Sequence, residues 1–282
     1  MASFPKRRVI AQFTTDNSTI KEIEGLNVTF NIKKYAHGSG GEADISIANL
    51  AMPDINFLTT SMSPFYARDQ RKKIAIYAGY DNDVNKIFEG CVCSAQPNKR
   101  GGDIWLDIKA NKNIFNACTM SSKTVIADKK PMKIKELCSK VAEWAKLALD
   151  WKSKSTKTVD AFSFTGSISD AIRKINDLNI VYAFEDEDFL RAIDKNPMGN
   201  LVREFSEDSG MIGIPRLTQL GVDIRALMDS NIKIGERVGL KSSLIPSANG
   251  QYWVFAITYV GGLRDTEFYM DLCCRRNNYG TV

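Results

Sequence analysis

Two kinds of apolar spacing divide this chain of 282 residues. Up to about residue 115, and again from about residue 196, apolar and polar positions alternate: Ala43, Ile45 and Ile47 against Asp44 and Ser46, or Val222, Ile224 and Ala226 against Asp223 and Arg225. A period of two places every second side chain on one face, so these runs predict strands with one buried side. Between the two regions the period lengthens. Ile134, Leu137, Cys138, Val141, Ala145 and Ala148 follow helical spacing behind Pro131, which predicts an amphipathic helix of about four turns. After a short strand and turn in Phe162-Ser163-Phe164-Thr165-Gly166, a second helix is predicted. Ser167 and Asp170 form a capping-box variant at its start, and Ile168, Ala171, Ile172, Ile175 and Leu178 make its apolar face. The runs 180–184 and 189–193 then read as a hairpin, with Glu185-Asp186-Glu187-Asp188 as a solvated turn.

The two β regions repeat. Asp103-Ile104-Trp105-Leu106-Asp107-Ile108 and Glu267-Phe268-Tyr269-Met270-Asp271-Leu272 share one order of classes: acidic, apolar, aromatic, apolar, Asp, apolar. Reading back from each, Ile45, Ile74 and Ile87 lie in successive strand-like runs before Asp103, as Ile224, Val238 and Tyr252 do before Glu267. The intervals are 29, 13 and 16 residues against 14, 14 and 15, so the first copy carries a 15-residue insertion within 51–72. Asn98-Lys99-Arg100-Gly101-Gly102 and Gly261-Gly262-Leu263-Arg264-Asp265 supply hairpin turns. The fold expected is mainly β with an α+β insert: two similar small antiparallel β-barrels separated by a small α+β domain. The boundaries are 1–115, 116–195 and 196–282, with Asn196-Pro197-Met198-Gly199 as the second linker.

Composition adds exclusions. The longest apolar run, 252–257, falls far short of the roughly 20 residues that span a bilayer, and Lys6-Arg7-Arg8 has no apolar stretch behind it, so neither membrane anchor nor signal peptide is expected. Six cysteines, including the Cys91/Cys93 and Cys273/Cys274 pairs, Cys118 and Cys138, read as free and mostly buried thiols of a reducing cytoplasm. The net charge of +5 is spread unevenly: residues 118–157 hold 10 Lys and 4 acids, residues 158–195 hold 4 basic groups and 8 acids. That division suggests two oppositely charged faces rather than a stripe for nucleic acid.

Little in the chain serves catalysis. His37, the one histidine, sits beside Gly38-Ser39-Gly40-Gly41 at a hairpin tip, and no Gly-Lys-Ser/Thr follows to make a phosphate loop. No catalytic, cofactor or metal residue is expected. The insertion stands out instead, because Met52, Ile55, Phe57, Leu58, Met62, Phe65 and Tyr66 crowd a loop that carries Pro53 and Pro64. An apolar loop of this length either tucks onto its own barrel or lies against another subunit, and a subunit or tube interface is the reading adopted.

Several stretches resemble the baseplate hub proteins of contractile-tailed phages and related contractile injection machines. Glu42-Ala43-Asp44-Ile45-Ser46-Ile47-Ala48-Asn49-Leu50 is similar to that family's early strand, and Ala78-Gly79-Tyr80 with Ile87-Phe88-Glu89-Gly90 to a hairpin that follows. The stretches 210–217 and 221–228 resemble its entry into the second barrel, and Phe164-Thr165-Gly166-Ser167 its lead into the middle helix. The resemblance implies a virion protein assembled in the host cytoplasm, a homotrimer whose six barrels form a pseudo-sixfold ring between a sixfold tail tube and a threefold spike. Tube, spike and wedge proteins would be its partners, and the genome would pass through its channel without sequence-specific binding. The insertion would be an inter-barrel or tube-facing arm. A different class remains open, a single-strand nucleic-acid binder with Trp105, Tyr269 and Trp253 as stacking platforms.

Overall fold

The computed structural model describes residues 5–14, 20–36, 41–60, 72–112, 125–127, 131–160, 162–164, 166–186, 189–195 and 201–276. Strands β1 (Arg7–Thr14) and β2 (Ile20–Glu24) lead into β3 (Val28–Tyr35), β4 (Gly41–Ala48), helix α1 (Met52–Thr60), β5 (Lys73–Tyr80), β6 (Asp83–Arg100) and β7 (Asp103–Asn111). The middle segment holds β8 (Val125–Ala127), β9 (Met132–Lys133), α2 (Ile134–Trp144), β10 (Ala148–Trp151), β11 (Thr158–Val159), β12 (Phe162–Phe164), α3 (Ile168–Asp177), β13 (Val181–Asp186) and β14 (Phe189–Asp194). Then come β15 (Leu201–Phe205), β16 (Arg216–Leu217), β17 (Gly221–Leu227), β18 (Arg237–Leu240), β19 (Gly250–Gly262) and β20 (Phe268–Arg276).

The repeat is preserved down to the register of pairing. In the first unit Ile45 of β4 faces Ile108 of β7, and in the second Ile224 of β17 faces Leu272 of β20. These partners differ by 224 − 45 = 179 and 272 − 108 = 164 positions, and Ala48 with Trp105 and Leu227 with Tyr269 show the same two offsets. Strand β6 pairs with β7 through a bulge between Val92 and Ser94, and β19 pairs with β20 through one between Val254 and Ala256. Both bulges are displaced by 162 residues (254 − 92 and 256 − 94). A shared extra residue in the same place is a designed feature of a strand, since it fixes where the ladder bends. By these registers Gly90, which faces Ile74, corresponds to Tyr252, which faces Val238. Ile87 is therefore not the counterpart of Tyr252; two compensating differences in turn length hid the true match.

The units are joined rather than separate. Along β19, residues 256–262 pair with β3 on the edge opposite β20, and the result is one 13-stranded sheet running β16-β17-β20-β19-β3-β4-β7-β6-β5-β1-β2, with β15 and β18 beside it. No closed barrel is found among the described residues. One apolar core draws on both units, including Ile32, Ile45, Leu106, Val222, Ile224 and Met270. The units differ at their flanks: β1 runs antiparallel to β5, whereas β15 runs parallel to β18.

The middle segment has a second core built from Ile134, Leu137, Val141, Ile172, Ile175 and Leu190. The helix α2 is three turns rather than four, because Ala145 caps it and Ala148 already belongs to β10. Ser167 and Asp170 form the full capping box at α3. The hairpin of β13 and β14 serves both cores, since alternation sends Val181, Ala183, Leu190 and Ala192 to the middle core and Phe184 and Ile193 to the sheet core. A strand buried on both faces reads as a continuous apolar run, which is why 180–184 lacks polar alternation.

Candidate functional site

The sequence placed interaction chemistry on the insertion, and the structure sorts those residues. Its first part is helical, not a loop: α1 buries Ile55 and Leu58 in the sheet core, while Met52 points outward at 55 % exposure. Phe57 packs beside the same core, with its ring stacked 6.1 Å from that of Phe13 and the Lys72 ammonium 4.3 Å from its centroid. Met62, Phe65 and Tyr66 lie outside the described residues, as do His37, Gly38-Ser39-Gly40, Cys118, Glu187, Asp188 and the linker 196–199. Of the large apolar side chains described in the insertion, Met52 alone is exposed.

The outward face of the repeated strands carries a second set. Alternation on β7 turns Leu106, Ile108 and Ala110 inward and Trp105 and Asp107 outward, and β20 does the same with Met270 and Leu272 against Tyr269 and Asp271. In the first unit the Arg100 guanidinium lies 5.1 Å from the Trp105 ring centroid and 2.6 Å from Asp107, which also accepts a 2.6 Å bond from Ser46. In the second, Arg225 lies 4.2 Å from the Tyr269 centroid and donates to both carboxylate oxygens of Asp271, at 2.7 and 2.9 Å. Ser46 and Arg225 occupy one position of the repeat (225 − 46 = 179), so the two units build the same aromatic, Asp and Arg cluster with arginines from different strands. Partial burial opposes charge on Asp107, yet the bonds from Ser46 and Arg100 outweigh it and hold the carboxyl below the ordinary carboxylate range. This explains the shared hexamers: their aromatic and Asp face outward together, and their last two apolar positions, Leu106 and Ile108 or Met270 and Leu272, fill the core. At the first apolar position, by contrast, Phe268 is buried and Ile104 is exposed.

A third constellation is buried. Lys34 of β3 lies 3.0 Å from Asp186 of β13, and Arg191 of β14 donates to Asp186 and to Asp150, each at 2.7 Å. Lys34, Asp186 and Arg191 are at most 7 % exposed, and Glu185 is buried as well. The expected solvated turn is therefore wrong for Glu185 and Asp186, which are strand residues under the sheet. Burial disfavours the charge of Asp186, but Lys34 and then Arg191 more than compensate and keep its carboxyl below the usual value. Two of the acids assigned to a negative face of the middle segment are thus buried, and one of them, Asp186, joins that segment to the first unit through Lys34. The sequence held one clue, because Arg191 stands within an apolar strand and a buried charge requires a partner.

Polar contacts also cross between the units. Asn231 exchanges side-chain bonds with Asn85 (3.1 Å) and Asp83 (2.8 Å), and Arg7 reaches the Asp265 carbonyl at 2.6 Å and lies 5.1 Å from the Phe268 centroid. They border a cleft of about 650 Å³ lined by Tyr80, Phe205 and Leu227, in which Arg203 pairs with Asp229 at 3.3 Å. The described cysteines are all free thiols: Cys91, Cys138 and Cys274 are buried, Cys93 and Cys273 half-buried, and burial pushes Cys138 up to about 12. Of the suggested stacking platforms, Trp253 is 2 % exposed and belongs to the core. No helix among the described residues is long and apolar enough to cross a membrane.

No curated protein matches the sequence. Solved structures share the fold. A tail protein from Neisseria meningitidis MC58 superposes with a TM-score of 0.67 at 9 % identity, over 95 % of this chain and 96 % of that one. The 43 kDa tail protein of prophage MuSo2 from Shewanella oneidensis gives 0.66 at 7 % identity, over 97 % of both chains. An Escherichia coli component of the type VI secretion system, described as similar to the T4 tail proteins gp27 and gp5, gives 0.59 at 8 % identity over 89 % of this chain and 73 % of that one. A model of the family described as baseplate hub gp41 matches residues 8–274, which include both repeated units and the segment between them, and the chain therefore belongs to the baseplate hub gp41 family.

Proposed function

We propose that this chain is the structural hub subunit of a contractile tail baseplate: a homotrimer whose six units form a pseudo-sixfold ring between tail tube and spike, with wedge proteins around it. In this reading the chain has three parts, 1–115, 116–195 and 196–282, the first and last being the ring-forming units. The observation that carries it is the shared register, bulge included, of the two units. Two units with one backbone geometry offer a tube similar docking faces, while flanks that differ can serve different partners. The ring would enclose the channel through which DNA leaves, and the protein would have no catalytic role. Met52, with Met62, Phe65 and Tyr66 of the same insertion, is the proposed contact to tube or neighbouring subunit. Mass photometry of the full chain tests the assembly: a species near 3 × 31.5 = 94.5 kDa is expected, and a monomer at the highest soluble concentration overturns the trimer.

The nucleic-acid reading loses ground to the same geometry. Its platforms are reduced to Trp105 and Tyr269, and each already has an arginine over its ring. A filter-binding titration separates the two readings: the hub shows no tight, salt-dependent binding of single strands.

A further inference from the structure

The junction inside the chain has a counterpart that no described strand fills. Within the chain, β3 pairs with β4 on one edge and with residues 256–262 of β19 on the other. Its equivalent in the second unit is β16: Asn31 and Ile32 face Asp44 and Ala43, as Arg216 and Leu217 face Asp223 and Val222, with offsets of 185 on one strand and 179 on the other. The equivalent of residues 256–262 is 94–100 of β6, from the common offset of 162. Among the described residues, β16 ends the sheet and no strand pairs with the outer edge of 94–100.

Burial follows the same division. Gln96-Pro97-Asn98-Lys99-Arg100 are exposed, whereas their counterparts 258–262 are buried or half-buried under the other unit. Ile32 is fully buried, but Leu217 in the same place is 51 % exposed, beside Ile214 at 64 % and Leu220 at 46 %. Clustered apolar side chains on a short sheet edge mark a surface made for covering.

We infer that the β16 edge of one chain pairs, antiparallel, with residues 96–100 of β6 in a second copy of this chain, repeating the β3–β19 junction between subunits. This rests on the trimeric reading above and gives it a seam: three internal junctions alternate with three between chains, and the ring closes without a free edge. The contact is heterologous, joining different surfaces of the two copies, which is the kind that generates rings. Its register sets Pro97 opposite Leu217 and Asn98 opposite Arg216. Pro97 and Pro215 each remove a backbone donor from the seam, so its ladder is poorer than the internal one and Ile214 and Leu217 carry more of the contact. The same prolines protect the edges from indiscriminate pairing before assembly.

Facing positions in an antiparallel pair have Cα atoms about 4.5–5.5 Å apart, within reach of a disulfide. The test is mild oxidation of the full chain carrying Asn98→Cys and Arg216→Cys, with the wild type as control for its own thiols. Disulfide-linked dimers and trimers are expected on a non-reducing gel, and a mixture of the two single variants should give linked dimers only. A trimer by mass photometry that yields no cross-link overturns the seam while leaving the trimer standing; a monomer removes both. A second variant, Ile214→Glu with Leu217→Glu, alters exposed side chains and should fold with an unchanged circular dichroism spectrum yet remain monomeric. Persistence of its trimer likewise overturns the seam.

Discussion

Replacing Asp186 by Asn removes the anion that Lys34 and Arg191 share beneath the sheet. In the variant the ammonium of Lys34, 7 % exposed, loses its carboxylate partner, while Arg191 retains Asp150 at 2.7 Å. Stranding a buried charge in this way costs about 3–5 kcal/mol, a large share of the roughly 5–15 kcal/mol that keeps a domain folded. Lys34→Met should cost less, because Asp186 would still be paired with Arg191. Acidity gives an independent reading. The folded Asp186 carboxyl lies below its ordinary value, so between the two values the unfolded chain holds the extra proton. The contribution is complete above about pH 4 and is lost as pH falls through the folded value, and Asp186→Asn should flatten that part of the profile. Urea unfolding followed by circular dichroism between pH 3 and pH 7 measures both effects. A change under about 1 kcal/mol for Asp186→Asn, or a larger loss for Lys34→Met, would refute the idea that this cluster ties the middle segment to β3.

Two further pairs of substitutions probe other parts of the fold. Leu58→Ala should lower stability by about 2–5 kcal/mol because its side chain is fully buried, while Met52→Ser on the same helix should stay within about 0.5 kcal/mol; urea midpoints that fail to separate them would contradict the docking of α1 on the sheet core. Gly79→Ala should lower the melting temperature sharply, because a Cβ there would sit 1.9 Å from the Asp83 carbonyl oxygen across the β5–β6 turn, whereas at Gly102 a Cβ meets nothing within 4 Å and Ala should be nearly neutral; equal melting temperatures by calorimetry would show that the turn is free to shift.

The alternation of apolar and polar residues, the capping box at Ser167 and the two matching hexamers were all legible without coordinates, because each depends on neighbours in the chain or on a single face of one strand. They specify mainly β structure with two helices in the middle, and they specify that a unit is repeated. The partners across space were not legible. Nothing local says that Arg191 meets Asp186 and Lys34, so an acidic tetrad looked like a solvated turn when half of it is buried; burial is decided by what packs above. Nor could intervals alone find that Gly90, and not Ile87, matches Tyr252, since turn lengths on either side of β6 and β19 changed in opposite directions while the bulge held its place. The joining of the units into one sheet through β3 and β19 is likewise a tertiary decision, because a strand edge has two sides and the sequence pattern reports on its faces, not on its edges.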